Sequence, residues 1–289
     1  MEAKRLQSSN NNNKDKKLKR KEVLEKKRAI DEIIKAAYAD KDHLVSFQPF
    51  RQFDRNGLSV FLESGSGEHL SSHMKRYIQS LLKVNMEGPY GPEWHTEEKV
   101  KRREMVAPEA CYIFVRAPNM CVNEISQRED MRVTSAHYMG EGDPVVGFVQ
   151  YRFIVEEEVP VLYVYELQLE PQVQGRGLGK FLMQLIELIA RKNHMGAVML
   201  TVQKANSLAL NFYMSKLRYI ISTISPSRVD PLIGAEKSYE ILCKAFDHEA
   251  KAKLEGVRRG VGRSDRFYEV WLASNLTATS SRIAAAPAK

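Results

Sequence analysis

Apolar and polar positions follow regular patterns along the middle of the chain, whereas both ends are mostly polar. Alternating β-branched and aromatic residues predict strands, and apolar residues at every third or fourth position predict helices. The predicted strands are 58–63, 111–116, 145–155, 161–170, 197–202, 218–223 and 238–244. The predicted helices are 16–40, 71–86, 96–105, 181–193 and 206–217. This order indicates an α/β fold with a mixed central sheet.

The connections between these elements show where the chain turns. Gly and Pro crowd residues 88–94 and predict that no helix continues through them. The acidic residues 156–158 separate two long strands and indicate a hairpin. Residues 117–144 follow no pattern and are predicted to form a long surface loop or a lid. We therefore predict four segments: a disordered tail (1–15), a basic helix (16–40), one α/β domain (41–247) and a basic, mobile tail (248–289).

The charge of the chain is concentrated at its two ends. The 289 residues carry a formal net charge of +8. Residues 1–30 contribute +7 and residues 251–289 contribute +5, so the middle is acidic, at −4. The basic N-terminal segment is either a solvated helix face or a patch for nuclear import or chromatin. Any affinity for nucleic acid would therefore reside in the ends.

The cysteine content and hydropathy exclude several protein classes. The three cysteines, Cys111, Cys121 and Cys243, are far apart and lack metal-ligand spacing, so we expect no disulfide framework and no metal site. Apolar runs fall short of the roughly 18 residues that span a bilayer, and the first residues lack a hydrophobic signal segment. These features predict an intracellular protein without a membrane partner.

A glycine-rich loop after a predicted strand and before an amphipathic helix is the most informative segment. Its residues are Gln174, Gly175, Arg176, Gly177, Leu178, Gly179 and Lys180. Glycines allow a sharp turn, and the free N–H groups of the new helix can cradle a phosphate. The spacing excludes a P-loop, and a dinucleotide-binding loop would follow the first strand of its domain. The remaining pattern is Gln/Arg-x-x-Gly-x-Gly/Ala, formed by Gln174, Gly177 and Gly179.

This pattern, with the later run from Asn206 to Tyr213, resembles the GNAT superfamily of acetyl-coenzyme A-dependent N-acetyltransferases. The resemblance implies acetyl-coenzyme A as the cofactor, with its pyrophosphate at the loop 174–180. Its pantetheine arm would pair with the backbone of the preceding strand, at Leu167, Gln168 and Leu169. Asn206 would hold the pantetheine region.

Further motifs resemble the NatD-type N-alpha-acetyltransferases across residues 16–244. They lie at 53–58, 85–86, 93–94, 163–170, 177–181, 198–202 and 238–242. The family acetylates the N-terminal serine of histones four and two-A, which begin Ser-Gly-Arg-Gly, without an obligatory auxiliary subunit. The resemblance implies histone tails as the substrate partner, proximity to ribosome or chromatin, and a location in nucleus and cytoplasm.

Transfer of an acetyl group to an amine requires a group that accepts the amine proton. Glu166 is the predicted base, because aromatic neighbours can make a carboxylate a better proton acceptor by desolvating it. Strand alternation places Tyr163 and Tyr165 on the face opposite Glu166 unless a bulge intervenes. The GNAT fold has such a bulge. The alternative is that Glu166 is an ordinary strand carboxylate facing solvent.

Two further groups complete the predicted chemistry. The backbone N–H of Leu167 would donate to the developing oxyanion, as the family's cofactor position implies. Tyr213 lies where many GNAT enzymes have a tyrosine that protonates the leaving thiolate. A packed aromatic is almost equally consistent with Tyr213.

The predicted substrate contacts carry over from the NatD family. They are Tyr90, Trp94, Tyr163, Tyr165, Thr201 and Tyr239. Trp94 and Tyr239 could instead be core residues. An arginine in the third substrate position requires a carboxylate partner. The family has an Asp where this chain has Ile154, so either Glu156 or Glu157 replaces it, or the arginine is recognised differently. A lysine or small-amine acetyltransferase and a catalytically silent binding module remain the alternative functions.

Overall fold

The computed structural model describes residues 2–118 and 143–256, except for the side chains of residues 2–16 and 18. Its strands are β1 (Gln52–Arg55), β2 (Leu58–Ser66), β3 (Cys111–Arg116), β4 (Val145–Glu156), β5 (Val159–Leu169), β6 (Ala197–Gln203), β7 (Ile220–Ile221) and β8 (Tyr239–Ala245). They form one sheet in the order β1-β2-β3-β4-β5-β6-β8-β7. Only β5 and β6 pair in parallel among these strands, so the predicted mixed sheet is confirmed.

The helices are α1 (Glu2–Ala39), α2 (Ser72–Tyr90), α3 (Trp94–Met105), α4 (Leu178–Lys192), α5 (Ser207–Asn211), α6 (Pro226–Val229), α7 (Pro231–Glu236) and α8 (His248–Ala250). No helix in the described part of the chain is both long and apolar enough to cross a bilayer. The predicted helix 206–217 is shorter as an α-helix, because a π-helical turn (Phe212–Lys216) follows α5.

Both helices near the N-terminus are longer than predicted. We expected disorder through residue 15, but α1 begins at Glu2, and its sequence contains no Gly or Pro that would interrupt it. The sequence also predicts that no helix continues through 88–94. This prediction is wrong for residues 88–90, since α2 continues through Pro89 to Tyr90. The N–H bond that Pro89 lacks and the clash of its ring with the preceding turn disturb only the last turn of α2, because the helix ends at the next residue.

A short hairpin precedes the first predicted strand. Strands β1 and β2 are antiparallel and meet at Asn56 and Gly57, which both have positive φ. Two left-handed residues form the tight turn that matches strand twist. The Asn-Gly signal was present in the sequence, but the four residues of β1 are too few to show alternation.

The helices cover the two faces of the sheet. On β4, Tyr151 and Phe153 point toward the end of α1, where Tyr38 donates a hydrogen bond to the carbonyl of Phe153 (3.0 Å). The alternate residues Gln150 and Arg152 point to the opposite face and donate to the carbonyl of Glu104, at the end of α3 (2.9 and 2.8 Å). The site described below lies on the α3 face.

The domain extends beyond the boundary predicted at residue 247. Ala250 in α8 and Leu254 in the π-helical turn Lys251–Glu255 are fully buried against β5, β6 and β8. The hydroxyl of Ser222 donates to the carbonyl of Leu254 (3.1 Å). The predicted tail at 248–256 is therefore part of the fold, whereas 257–289 and loop residues 119–142 lie outside the described residues.

Candidate active site

A bulge in β5 resolves the conflict between Glu166 and its neighbouring tyrosines. Gln150 of β4 pairs with Glu166, but the next residue, Tyr151, pairs with Val164, so Tyr165 is an extra residue in β5. Such a bulge places both residues around it on one face. Tyr163 pairs with Arg152, which faces α3 as Gln150 does. Glu166 and both tyrosines therefore face the same side.

The carboxylate of Glu166 is buried and held by two partners. Its side chain is only 5% exposed and accepts an ion-pair contact from Lys101 on α3 at 3.0 Å. The amide of Gln168 donates to its other oxygen at 2.8 Å. The amide of Asn85 in turn donates to Gln168 (3.0 Å). This chain of contacts fixes the orientation of the carboxylate.

Lys101 carries a positive charge in a largely buried position. Its ammonium also contacts Glu104, one turn further along α3, at 3.1 Å. Burial alone would lower the pKa of Lys101, but the Glu166 carboxylate and the other acidic neighbours outweigh burial and raise it above its ordinary value. Lys101 therefore remains a cation at neutral pH.

Strands β5 and β6 diverge beside this carboxylate. Their parallel pairing runs from Val161–Ala197 to Val164–Leu200 and ends there in the described structure. Beyond it, the backbone around Leu167 pairs with β4 on its other side. The stretch between the ends of β5 and β6, next to the bulge, is therefore not bridged by strand pairing and is called the opening below.

Aromatic side chains surround the opening. The rings of Tyr163 and Tyr165 lie 5.5 Å apart, and the hydroxyls of Tyr163 and Thr201 form a hydrogen bond of 2.6 Å. The guanidinium of Arg152 lies 4.4 Å from the centre of the Tyr165 ring. Burial raises the pKa of Tyr163 to about 12, so this hydroxyl keeps its proton.

The other predicted substrate residues have different exposures. Tyr90 is half-buried at the end of α2 and packs 5.9 Å from the ring of Trp94. Trp94 is only 2% exposed and belongs to the core beneath α2 and α3, although its indole N–H has no partner among the described residues. Tyr239 is half-buried at the start of β8, opposite Gln203. The roles of all three in substrate binding remain predictions.

The glycine-rich loop forms a cradle for an anion. Gly175 and Gly177 have φ of 73° and 89°, which ordinary residues rarely adopt, and α4 starts directly after Gly177. Phe181 is the first residue to donate a helical bond, to the carbonyl of Gly177. By helix geometry, the N–H groups of Leu178, Gly179 and Lys180 precede this bond and can serve a ligand.

The side chains of this loop hold it against its neighbours. The amide of Gln174 donates to the carbonyl of Leu169 (2.9 Å), so it ties the loop to β5. The amide of Asn56 donates to the carbonyl of Arg176 (2.7 Å), and Arg176 donates to the carbonyl of Gly57 (2.9 Å). The β1–β2 hairpin therefore supports the cradle.

Asn206 and Tyr213 lie in the segment after β6. The Asn206 side chain caps α5 by accepting from the N–H of Ala209 (3.1 Å). Tyr213 is buried beside Phe212 and Tyr219. Burial raises the pKa of Tyr213, and the charge of Glu166 acts in the same direction, which places the two groups in one electrostatic environment.

Ile154 packs beside Tyr163 and offers no charge. Glu156 follows two positions later on the same face of β4 and is half-buried. Burial, followed by the charge of Glu157, raises the pKa of Glu156. Of the two candidate acidic residues, Glu156 is the one whose charge acts on Tyr163 and Tyr165.

Comparison with known proteins agrees with this architecture. Residues 89–217, just under half of the chain, match the sequence profile of the acetyltransferase (GNAT) family. The match includes α3, the bulged β5, the anion cradle and Tyr213. Residues 89–217 thus match a GNAT acetyltransferase domain. The predicted fold, with its added N-terminal helix, is therefore confirmed.

Several solved structures are similar to this GNAT domain. The PaiA N-acetyltransferase of Thermoplasma acidophilum, solved with coenzyme A, is 17% identical over 65% of this chain and 100% of its own, with a TM-score of 0.44. The NatC complex bound to Gag peptide and coenzyme A contains a chain that is 13% identical over 64% of this chain and 99% of its own length, with a TM-score of 0.39. A streptothricin acetyltransferase of Bacillus anthracis, solved with acetyl-coenzyme A, is 15% identical over 51% of this chain and 70% of its own length, with a TM-score of 0.34.

The residues of the GNAT domain fit the expected acetyl-coenzyme A. The cradle at the start of α4 has glycines with positive φ and helix N–H groups free for an anion. The exposed Lys180 adds positive charge. Glu166 lies in β5, which ends shortly before this cradle in the chain. No cluster of metal-ligating residues occurs in the described part of the chain.

The sequence patterns did not reveal Lys101, Asn85, Arg152 or the supporting role of Asn56. One signal could have identified Lys101. Trp94, Lys101 and Met105 recur at the helical spacing of one face, and the first and last of them are buried. A lysine on the apolar face of a helix needs a buried carboxylate partner, so this position indicated a functional pair.

Proposed function

We propose that the protein transfers the acetyl group of acetyl-coenzyme A to the N-terminal serine amine of histone tails beginning Ser-Gly-Arg-Gly. The observation that carries this proposal is the bulge in β5, which brings Glu166, Tyr163 and Tyr165 to one face beside the opening between β5 and β6. A proton acceptor, a small aromatic enclosure and a cofactor passage would then meet at one place. The resemblance to the NatD family supplies the histone specificity.

Residues of the loop and of β5 would hold the cofactor. The N–H groups of residues 178–180 are suited to its pyrophosphate, and the backbone of Leu167 and Leu169 to its pantetheine arm. When bound, acetyl-coenzyme A supplies an acetyl group activated as a thioester. The opening beside Leu167 would let the pantetheine arm extend from the cradle toward Glu166.

Glu166 would accept the proton of the attacking amine, directly or through one water. An ordinary N-terminal amine has a pKa of about 7.7–8.0, so only modest assistance is needed near neutral pH. Each oxygen of Glu166 has one partner, Lys101 or Gln168, and a carboxylate oxygen can accept a second hydrogen bond. The carboxylate can therefore receive the amine without losing its supports.

Leu167 and Tyr213 would stabilise charge at the reacting carbonyl and at the departing sulfur. The N–H of Leu167 follows the bulge directly and would donate to the carbonyl oxygen. The raised pKa of Tyr213 means that its phenol holds its proton more firmly than a thiol, whose ordinary pKa is about 8.5. Tyr213 would therefore act as a hydrogen-bond donor to the sulfur rather than as a strong acid.

Aromatic residues would select a small N-terminal residue. Tyr90, Tyr163 and Tyr165, with the Thr201 hydroxyl, can enclose Ser-Gly while excluding bulky side chains. The substrate arginine would pair with Glu156, which occupies the same face of the sheet two positions beyond Ile154. Trp94 would support Tyr90 from below.

The proposal includes the cellular setting implied by the family resemblance. The protein would act without an obligatory auxiliary subunit, in nucleus and cytoplasm, near ribosomes or chromatin. The lysine-rich part of α1 is exposed and could contribute affinity for such anionic assemblies.

Transfer of radiolabelled acetyl to a Ser-Gly-Arg-Gly-Lys peptide tests the proposal. We expect transfer to the peptide with a free N-terminus and loss of transfer when that amine is blocked beforehand. A matched peptide with Ala in place of Arg should react more slowly, because Glu156 would lose its partner. Undiminished transfer to the blocked peptide would instead identify a lysine acetyltransferase, and coenzyme A binding without transfer to any amine would identify a silent binding module.

A further inference from the structure

Lys101 is a charged residue in the site for which the predicted chemistry has no role. We propose that Lys101 is a positioning residue that keeps Glu166 ionised and disfavours the ammonium form of the acceptor amine beside it. The proposal rests on the proposed amine acetylation but not on the identity of the acceptor. It assigns to α3 a direct influence on the protonation of the nucleophile.

The contact between Lys101 and Glu166 is sheltered from solvent. Their side chains are 16% and 5% exposed, and the ammonium lies 3.0 Å from the carboxylate. Charges interact more strongly where little water screens them. The ammonium also contacts Glu104 at 3.1 Å, which anchors it to its own helix. Lys101 therefore has a fixed position relative to Glu166.

Every element packed around this pair contributes polar groups. The charged or titratable neighbours are Glu97 and Glu104 of α3, Tyr90 of α2, Tyr112 of β3, Arg152 of β4, Tyr163 and Tyr165 of β5, and Tyr213 after α5. Burial raises the pKa of Tyr90, Tyr112, Tyr163, Tyr165 and Tyr213, so these hydroxyls stay neutral near pH 7. Besides Lys101, Arg152 is the cation of this group. Its guanidinium packs on the ring of Tyr165 and donates to the Glu104 carbonyl.

The position of Lys101 affects both partners in the proton transfer. An amine that gives its proton to Glu166, directly or through one water, must lie near the carboxylate, and hence near the Lys101 ammonium. A nearby cation favours the ionised carboxylate and disfavours a second ammonium. Lys101 therefore favours the state in which the base is free and the nucleophile is neutral.

This arrangement predicts the direction of a pH effect. Without the cation, Glu166 would bind a proton at higher pH, and the bound amine would also retain its proton to higher pH. Both changes move the acidic limb of the profile of kcat against pH upward, because kcat reports the groups of the enzyme–substrate complex. A merely structural role for Lys101 would lower the amount of folded enzyme without moving that limb.

The test compares Lys101→Met and Lys101→Gln with Lys101→Arg, using kcat for acetyl transfer to saturating Ser-Gly-Arg-Gly-Lys peptide across pH 5–9. The two neutral variants should shift the acidic limb upward by about 1 pH unit, and Lys101→Arg should stay close to the parent protein. Lys99→Met is the matched control, because Lys99 lies on the same helix but is exposed. An unshifted limb in both neutral variants, or an equal shift in Lys99→Met, would overturn the proposal.

A measurement without catalysis separates this proposal from the proposed function. Carbon NMR of the Glu166 carboxyl, assigned with Glu166→Gln, follows its protonation directly. We expect its titration midpoint at higher pH in Lys101→Gln than in Lys101→Arg or in the parent protein. If the parent acetylates no peptide, the proposed function fails, yet an unchanged midpoint would still refute the role of Lys101. Coenzyme A binding by calorimetry verifies that each variant is folded.

Discussion

At the scale of single residues, Glu166 combines a proposed role in the chemistry with a role in stability. Its carboxylate is the proposed proton acceptor, and it also neutralises the buried Lys101. Removing one partner of a buried ion pair leaves the other charge uncompensated, which is strongly destabilising. A loss of activity in a Glu166 variant must therefore be separated from a loss of folded protein.

Replacement of Glu166 by Gln should lower kcat by about 10²–10⁴-fold, because the amide cannot accept the proton from the amine. The affinity for coenzyme A should remain nearly unchanged, since the anion cradle is formed by the loop before α4. Steady-state kinetics and calorimetry with coenzyme A measure the two quantities. Glu98→Gln is the matched control, because Glu98 lies on the same helix as Lys101 but pairs with the exposed Arg102. An unchanged kcat in Glu166→Gln would remove Glu166 as the base.

At the scale of elements, periodicity predicted the strands and helices whose one face is buried, and it failed where the outcome depends on contacts between elements. The bulge at Tyr165 is a property of the pairing between β4 and β5, so it could be expected from the family resemblance but not from alternation. The continuation of α2 through Pro89 and the burial of Leu254 likewise depend on neighbours distant in sequence.

In the candidate site, too, features set by local sequence could be predicted, whereas contacts between distant elements could not. The glycine loop and the acidic residue on a strand were visible as local patterns, and the structure has Glu166 in β5 with the loop after the end of that strand. Lys101 reaches Glu166 from a helix 65 positions earlier in the chain, and Asn56 reaches the loop from a hairpin 120 positions away. Such contacts between separate elements cannot be read from local spacing.

The junction between β5 and the glycine loop contains a second buried carboxyl, Glu170. Burial raises its pKa to about 7, although contacts from the Tyr77 hydroxyl and the Gln172 amide lower it. A raised pKa means that the folded state binds a proton more tightly than the unfolded state. Stability from this group is therefore present at low pH and is lost as the pH rises through about 7.

The pKa of Glu170 rises from 4.5 to about 7 on folding. Raising the pH from 5 to 8 should therefore lower the unfolding free energy by about 2 kcal/mol through this group. Glu170→Gln is uncharged at both pH values and should not lose this stability. The unfolding free energy of Glu170→Gln minus that of the parent should therefore be larger at pH 8 than at pH 5 by this amount. Urea unfolding of both proteins at the two pH values measures the difference, and the other titrating groups cancel in the comparison. A difference independent of pH would show that Glu170 stays ionised in the folded state.

At the scale of the whole molecule, segments near both ends of the described chain complete the sheet's two faces. The end of α1 is attached to one face through Tyr38 and through His43, which contacts the Tyr151 hydroxyl at 2.7 Å. The segment around Leu254 covers part of the other face. The basic charge of the ends is therefore carried by segments that belong in part to the folded domain, around a middle of net charge −4.

Leu254→Ala should lower the unfolding free energy by about 2–5 kcal/mol, because it removes a fully buried side chain and leaves a cavity over β5, β6 and β8. Val229→Ala is a matched control of similar chemistry, since Val229 is 69% exposed, and it should change the stability by less than about 0.5 kcal/mol. Denaturant unfolding of the full chain measures both. If Leu254→Ala were as stable as Val229→Ala, residues 248–256 would form the mobile tail predicted from the sequence, and the folded domain would end at residue 247.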